Sequence, residues 1–258
     1  MPTALITGAS SGLGIDFARL FAKDGIDVVL LARSSEKLEK IALELQKSYG
    51  INTHVLVKDL SNEADLNSIF PELQSQKIEI DYLVNNAGFG HHTAFADLSW
   101  KDHQALIRVN IEALTQLTHE FLTPMLEKRK GRILQIASTA SFQPGPYMAL
   151  YYASKAYVRS FGEALSKELE DTGVSVTILC PGPTKTAFFD KAGMNQMRLL
   201  KAGQMQTSEE VAKFGYRKMM QGKRTVISGM MNKMGAMAVR FVPKGIILNA
   251  VKALHNSV

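Results

Sequence analysis

Short apolar runs alternate with longer stretches of helical periodicity along most of the chain. No other feature of the sequence restricts its possible folds as strongly. The strand-like runs are seven in number and largely apolar: 4–7, 27–31, 54–57, 81–84, 133–137, 174–180 and 224–228. The stretches between them carry apolar residues at helical spacing, as Phe17, Leu20 and Phe21 do. Apolar strands separated by helices indicate a parallel sheet covered on both faces. We therefore predict an α/β fold with a doubly wound, mostly parallel seven-stranded sheet.

The length and composition fit one folded domain. A chain of 258 residues can bury a large core, so we treat 1–258 as a single domain. The chain contains no run of about 18 apolar residues, and Met1 to Gly8 lack the basic start of a signal peptide. Its only cysteine, Cys180, excludes an intrachain disulfide and is expected to be a buried strand residue. We expect a cytoplasmic protein.

A glycine-rich turn joins the first predicted strand to the first predicted helix. It reads Thr7-Gly8-Ala9-Ser10-Ser11-Gly12-Leu13-Gly14. Glycines let a backbone approach a pyrophosphate, and the helix that follows offers free N–H groups and the positive end of its dipole. A strand before the turn and a helix after it are the context that this interpretation requires. We predict that the turn binds phosphate through Gly8, Ser10, Ser11, Gly12, Leu13 and Gly14.

Further motifs follow in a characteristic order. They are Asp59-Leu60, Asn85-Asn86-Ala87-Gly88, Ser138, Tyr151-x-x-x-Lys155 and Pro181-Gly182 with Thr186 close behind. Together with the Gly-x-x-x-Gly-x-Gly turn, this set resembles the short-chain dehydrogenase/reductase superfamily over about residues 3–190. The resemblance implies a Rossmann fold and an oxidoreductase. It also implies a second set of cofactor-binding residues: Asp59, Leu60, Asn86, Ala87, Gly88, Tyr151, Lys155, Pro181, Gly182, Thr184 and Thr186.

The residues after the second predicted strand favour NADP(H) as the cofactor. Enzymes that prefer NAD usually place a carboxylate here for the ribose 2′-hydroxyl, whereas an arginine accommodates a 2′-phosphate. Arg33-Ser34 resembles the NADP-preferring pattern of the family. The alternative for Arg33 is a solvated loop residue. By resemblance Asp59 lies beside the adenine, and its alternative is a helix N-cap.

Tyr151, Lys155 and Ser138 form the strongest chemical signal. Tyr151 and Lys155 are spaced i and i+4, so they share one face of a helix. A nearby ammonium and the positive nicotinamide favour the phenolate, and lowering the tyrosine pKa by about 3 requires roughly 4 kcal/mol. Tyr151 would then act as general acid in reduction and as general base in oxidation, while Ser138 hydrogen-bonds the substrate oxygen. By resemblance Lys155 also holds the nicotinamide ribose.

Asn110 and Tyr152 need separate interpretation. Asn110 lies within the long helical pattern 102–128, where asparagine is unfavourable. The resemblance implies that Asn110 bends this helix and holds a water of the proton relay. The alternative is a core amide satisfied by its neighbours. Tyr152 lacks a lysine at i+4, so we interpret it as a packing residue.

The histidines and methionines near the expected pocket carry weaker signals. His91 and His92 have no cysteine or carboxylate partners at ligand spacing, so we expect rim or surface positions and no metal site. The family places a substrate lid at about 186–215, and Met194, Met197, Met205, Met219 and Met220 lie within this region or just after it. Met194 and Met197 are candidates for lid contact, with plain packing as the alternative.

These observations predict an oxidoreductase that transfers a hydride between NADP(H) and an apolar carbonyl or alcohol compound. Reduction is the expected direction, because NADP pools are usually held reduced. One alternative is a nucleotide-sugar epimerase on the same fold, but only about 70 residues follow Thr186 to form a substrate domain. The other is a non-catalytic NADP-binding regulatory protein, which typically lacks the tyrosine or the lysine. The identity of the substrate is not encoded by any motif.

The last fifth of the chain is basic. After Glu210 come nine Lys and Arg residues and no Asp or Glu. Within the basic C-terminal segment 230–258, Pro243 suits a helix start, and Ile247, Val251 and Leu254 fall on one helical face. This segment either packs on the sheet edge or a partner subunit, or makes weak contact with a membrane surface. The family often forms dimers or tetramers through helices at 102–128 and 150–172, and we expect no nucleic-acid partner.

Overall fold

The protein is described by a computed structural model that covers residues 1–186, 188–192 and 205–255. Its main sheet has seven strands in the order β3-β2-β1-β4-β5-β6-β9, and every neighbouring pair is parallel. These strands are β1 Thr3–Thr7, β2 Asp27–Ala32, β3 Thr53–Val57, β4 Tyr82–Asn85, β5 Gly131–Ile136, β6 Val174–Cys180 and β9 Thr225–Ile227. The predicted fold class is confirmed, and each predicted strand is present within about two residues of its expected ends.

Helices cover both faces of this sheet. They are α1 Leu13–Lys23, α2 Ser35–Tyr49, α3 Glu63–Ser75, α4 Trp100–Ile107, α5 Leu114–Glu127, α6 Ala149–Glu168, α7 Phe188–Lys191, α8 Ser208–Met220, α9 Met230–Ala238 and α10 Lys244–His255. Helices α1, α2 and α8 build one core layer, and α3, α5 and α6 build the other. Each layer buries the apolar stripe of its helices against alternate residues of the strands. The short strands β7 Thr184–Lys185 and β8 Gln206–Thr207, which the sequence did not predict, pair outside the main sheet.

The connections reverse direction between β1 and β4. From β1 the chain winds outward through β2 and β3, and then returns to β4 on the other side of β1. In open α/β sheets a crevice forms at such a reversal, outside the carboxyl ends of the strands. The glycine-rich turn after β1 and the loop after β4 therefore lie at the usual ligand-binding edge.

The long helical pattern at 102–128 is divided in three. Arg108–Ala113 forms a π-helical turn between α4 and α5. Asn110 lies within this wide turn and is 1% exposed. Wide turns of this kind occur often at functional sites. The sequence predicted a local irregularity at Asn110 but one continuous helix.

Helix α10 packs on the protein through two of the three residues of the predicted face. Its buried residues are Ile247, Val251 and His255, whereas Leu254 is 37% exposed. Leu254 was wrongly placed on this face, because His255 takes the inward position and contacts the Tyr152 hydroxyl there. None of the described helices is long and apolar enough to cross a membrane.

Candidate active site

The glycine-rich turn has the geometry of a phosphate cradle. Gly8 and Gly12 adopt left-handed backbone angles, with φ of 64° and 53°. A Cβ on Gly14 would collide with the Gly8 carbonyl oxygen, so the turn closes tightly only with glycine there. Helix α1 begins at Leu13, and no described side chain caps its N-terminus. Its first N–H groups are therefore available to an anion, and Ser10 and Ser11 lie partly exposed beside them.

Thr7 joins this turn to the loop that follows β4. Its hydroxyl accepts hydrogen bonds from the backbone N–H groups of Asn86 at 3.0 Å and Ala87 at 2.9 Å. The Asn86 side chain donates to the Thr7 carbonyl oxygen at 2.9 Å. These bonds hold the two loops in register across the crevice. Thr7 had not been singled out from the sequence, although a polar residue at the carboxyl end of a buried strand was a usable signal.

Ser138, Tyr151 and Lys155 come together at the carboxyl end of β5. Ser138 precedes a 3-10 turn at Thr139–Phe142, where its Oγ accepts a hydrogen bond from the Ala140 N–H at 3.1 Å and donates to the Pro181 carbonyl oxygen at 3.5 Å. Tyr151 and Lys155 project from successive turns of α6, with the Lys155 Nζ 5.9 Å from the centroid of the Tyr151 ring. Lys155 is 4% exposed, and its Nζ donates to the Ile136 carbonyl oxygen at 2.8 Å.

Burial dominates the protonation of this group. Burial raises the pKa of Tyr151 to about 12, although the neighbouring Ser138 side chain opposes the rise. The lowering of this pKa was expected with the positive nicotinamide bound as well as the Lys155 ammonium, so it stays a prediction for the complex. Burial also lowers the pKa of Lys155 to about 8. Buried groups with shifted pKa values in a crevice are typical of active sites.

Asn110 ties the loop after β4 to α6. Its side-chain amide exchanges two hydrogen bonds with the Phe89 backbone, at 3.1 and 2.9 Å, and donates to the Ser154 Oγ at 3.1 Å. Two glycines let this loop run close to the reactive side chains. A Cβ on Gly88 would lie 3.2 Å from the Lys155 Nζ, and one on Gly90 would lie 3.0 Å from the Tyr151 ring. Asn110 thus positions the loop that faces Tyr151.

Arg33 follows β2 and extends into solvent. Its side chain is 77% exposed, and one guanidinium nitrogen lies 3.9 Å from the Asp59 carboxylate. The Asp59 carboxylate accepts hydrogen bonds from the Ser61 backbone N–H and hydroxyl at 2.9 and 2.8 Å. Asn62, not Asp59, caps α3. Ser34 precedes α2, and Leu60 is buried in the core beneath the loop.

The segment after β6 closes the crevice opposite the glycine-rich turn. The Pro181 carbonyl oxygen accepts a hydrogen bond from the Thr139 N–H at 2.8 Å. The Thr184 hydroxyl donates to the Gly182 carbonyl oxygen at 2.9 Å. A Cβ on Gly12 would lie 3.2 Å from the Thr186 methyl group, so the two segments nearly touch. The structure therefore brings every predicted cofactor-binding segment to one edge of the sheet.

Most of the predicted lid lies outside the described residues, including Met194 and Met197. Met219 is fully buried in the core against α1 and β-strands, so its tentative place in the lid was wrong. His91 lines a cleft beside Tyr151, together with Phe95, Leu98 and Met148. No group of His, Cys, Asp or Glu suited to a metal ion occurs within the described ranges.

A buried contact between α6 and α10 could not be found from the sequence. The Tyr152 hydroxyl lies 2.8 Å from the His255 Nε2, and a Cβ on Gly145 would clash with the Tyr152 ring. His92 is partly exposed and lies against His255, with ring centroids 5.5 Å apart. Burial lowers the pKa of His255 to about 4, and the His92 charge acts in the same direction.

The burial of His255 makes the folding stability of the protein depend on pH. A histidine has an ordinary pKa of about 6.5, so unfolded chains bind a proton at His255 between about pH 6.5 and pH 4 while the folded protein does not. Above about pH 6.5 the burial of neutral His255 costs no free energy of deprotonation. As the pH falls toward 4, the free energy of unfolding decreases by up to about 3 kcal/mol. We expect His255→Gln to flatten the acid side of a plot of unfolding temperature against pH. The exposed His119→Gln is the control, and equal slopes for both variants would refute this role.

A family model described as short chain dehydrogenase matches residues 2–197 of the chain. Very-long-chain 3-oxoacyl-CoA reductase of Anas platyrhynchos is 36% identical over 184 residues, which are 69% of this chain and 58% of that protein. The chain therefore spans less than two thirds of that relative. Serine 3-dehydrogenase of Agrobacterium fabrum is 37% identical over 196 residues, 75% of this chain and 77% of that protein.

A solved structure shares the fold over nearly the whole length. It is a short-chain dehydrogenase from Sphingobium yanoikuyae in complex with NADPH, with a TM-score of 0.85 and 29% identity. The likeness covers 96% of this chain and 95% of that one. It therefore extends beyond the part that the family model matches.

Proposed function

Since this chain belongs to the short-chain dehydrogenase family, we propose that it reduces apolar carbonyl compounds with NADPH. The observation that carries the proposal is the group of Ser138, Tyr151 and Lys155 at the ligand-binding edge of the sheet, beside a glycine-rich turn. A non-catalytic protein would have no need to bury an ammonium without a carboxylate partner. Within the described residues, the hydrogen bond that the Lys155 Nζ makes is to the Ile136 carbonyl oxygen.

The crevice fits a dinucleotide with an additional phosphate. The turn over Gly8–Gly14 would hold the pyrophosphate, and Arg33 with Ser34 would hold the 2′-phosphate. Asp59 and Leu60 would border the adenine, the loop over Asn86, Ala87 and Gly88 would border the ribose, and Pro181, Gly182, Thr184 and Thr186 would close over the nicotinamide side. NADPH supplies the hydride when it is bound. The solved relative named as an NADPH complex supports this choice of cofactor.

Tyr151 is suited to donate the proton that carbonyl reduction requires. With a pKa of about 12 its phenol is protonated at neutral pH, which is the form that a general acid needs. Ser138 lies beside Tyr151 and would donate to the carbonyl oxygen of the substrate, which stabilises the developing negative charge. Lys155 would hold the ribose and favour the transient phenolate, and Asn110 positions the loop opposite.

The cleft beside Tyr151 indicates an apolar substrate. Its apolar wall consists of Phe95, Leu98, Leu106 and Met148, and its polar groups come from His91, Thr93, His103 and Tyr147. Apolar walls bind a substrate body without fixing its identity. The names of the two relatives describe oxidoreductases of an acyl thioester and of an amino acid, which supports alcohol–carbonyl chemistry and leaves the substrate open.

A panel of ketones and aldehydes of increasing apolar size tests the proposal. We expect NADPH absorbance to fall in the presence of the protein, with kcat/KM rising as the substrate fills the cleft. Leu98→Asp would place a charge in the apolar cleft and lower kcat/KM for the largest ketones more than for the smallest. Equal rates across the panel in both proteins would contradict an apolar substrate site at this cleft.

A further inference from the structure

Helix α9 and the turn after it expose a row of large apolar side chains. We call Met230, Met231, Met234, Met237 and Phe241 the methionine face. Each is more than half exposed, from 54% for Met237 to 85% for Phe241. Met230, Met234 and Met237 are spaced i, i+4 and i+7, so they lie on one side of α9. Contiguous exposed apolar surface of this kind marks an interaction site.

The opposite side of α9 is fixed to the protein. Ala236 is buried, and Asn232 donates to the Ser228 carbonyl oxygen at 2.7 Å. Asn232 also packs so tightly on Gly182 that a Cβ there would clash with it. Helix α9 is therefore held in place, and the methionine face points away from the sheet.

Cations surround the methionine face. Lys233, Arg240 and Lys244 are exposed on α9, on the turn after it and at the start of α10. The chain contains no Asp or Glu after Glu210, so this surface has no acidic residue of its own segment to neutralise it. Apolar side chains flanked by Lys and Arg are the composition of helices that lie in the headgroup layer of an anionic membrane.

We propose that the methionine face docks on an anionic lipid surface. A second copy of the chain fits it less well, because a two-fold contact would bring Lys233, Arg240 and Lys244 of both copies together without acidic partners. An anionic bilayer satisfies both features at once, since its acyl boundary takes up the methionines and its phosphates attract the cations. This proposal is independent of the proposed function.

Docking would place the candidate active site close to the membrane. Helix α9 lies against Gly182, and α10 packs Ile247 and Val251 on Met148 and Tyr152 next to Tyr151. The same cluster includes Val239, which follows α9. An apolar substrate dissolved in the bilayer would therefore have a short path to the cleft.

Sedimentation with vesicles tests the proposal. The full-length protein is mixed with phosphatidylcholine vesicles with and without phosphatidylglycerol, at low and at high salt. We expect binding to the anionic vesicles at low salt and its loss at high salt, because surface charges are screened within about 10 Å at 0.1 M. Met234→Ser combined with Phe241→Ser should lower the bound fraction about tenfold. Lys233→Gln with Arg240→Gln and Lys244→Gln should lower it about a hundredfold at low salt.

Matched substitutions at the other end of the sheet are the controls. Leu43→Ser removes an exposed leucine of α2, and Lys40→Gln with Lys47→Gln removes exposed charges of the same helix. These variants should bind vesicles as the wild type does. Wild type that stays in the supernatant with anionic vesicles at low salt would overturn the proposal. So would a shift from oligomer to monomer in Phe241→Ser without lipid, because the face would then be a subunit interface.

Discussion

Replacing Tyr151 by phenylalanine should abolish turnover and leave NADPH binding nearly unchanged. The substitution removes only the hydroxyl that lies beside Ser138, and general acid catalysis contributes about a hundredfold to ten-thousandfold. Lys155→Ala should lower turnover and also weaken NADPH binding, since it removes a buried cation next to Gly88 in the proposed ribose site. Turnover is measured by NADPH absorbance, and binding by fluorescence titration.

Tyr152→Phe is the matched control for Tyr151→Phe. It also removes one phenolic hydroxyl, but one that contacts His255 and not Ser138. We expect turnover close to the wild type and a loss of stability of about 1 kcal/mol. If Tyr152→Phe were the inactive variant and Tyr151→Phe the active one, the assignment of the catalytic tyrosine would be refuted.

Removing the Arg33 guanidinium should weaken NADPH binding by about tenfold to a hundredfold, equivalent to roughly 1.5–3 kcal/mol for a charge-assisted contact. The side chain is 77% exposed and only loosely paired with Asp59, so it is free to reach a phosphate. NADH has no 2′-phosphate, and its affinity should not change. Titration of both cofactors against wild type and Arg33→Ala measures the effect, and the exposed Arg217→Ala is the control. Equal affinities of the wild type for NADPH and NADH would refute the preference.

The sheet and its ligand-binding edge could be predicted because their signals are local. Fully buried parallel strands require continuous apolar runs, and the tight turn before α1 requires glycine at Gly14. The spacing of Tyr151 and Lys155 on one helix predicts their proximity without any knowledge of the fold. Asn110 was recognised as a poor helix residue, and the structure has a π-helical turn at this position.

The remaining features depend on contacts between distant residues. His255 bonds Tyr152 across 103 positions, and hydrophobicity alone favoured Leu254 for the inward face of α10. The rise of the Tyr151 pKa depends on how deeply the fold buries the phenol, which the sequence alone does not show. The exposure of the methionine face likewise could not be predicted without the position of α9, because a row of methionines in a helix is usually buried in the core.

The most direct test of the proposed reaction follows the hydride itself. Two NADPH samples are prepared, each with deuterium at one of the two positions on the nicotinamide C4 carbon. The protein is incubated with each sample separately and with a ketone that it reduces. The proposed reaction predicts that one of the two cofactors delivers a single deuterium to the carbinol carbon of the product, as seen by mass spectrometry, and that Tyr151→Phe forms almost none. A product alcohol without deuterium from either cofactor would contradict hydride transfer from NADPH.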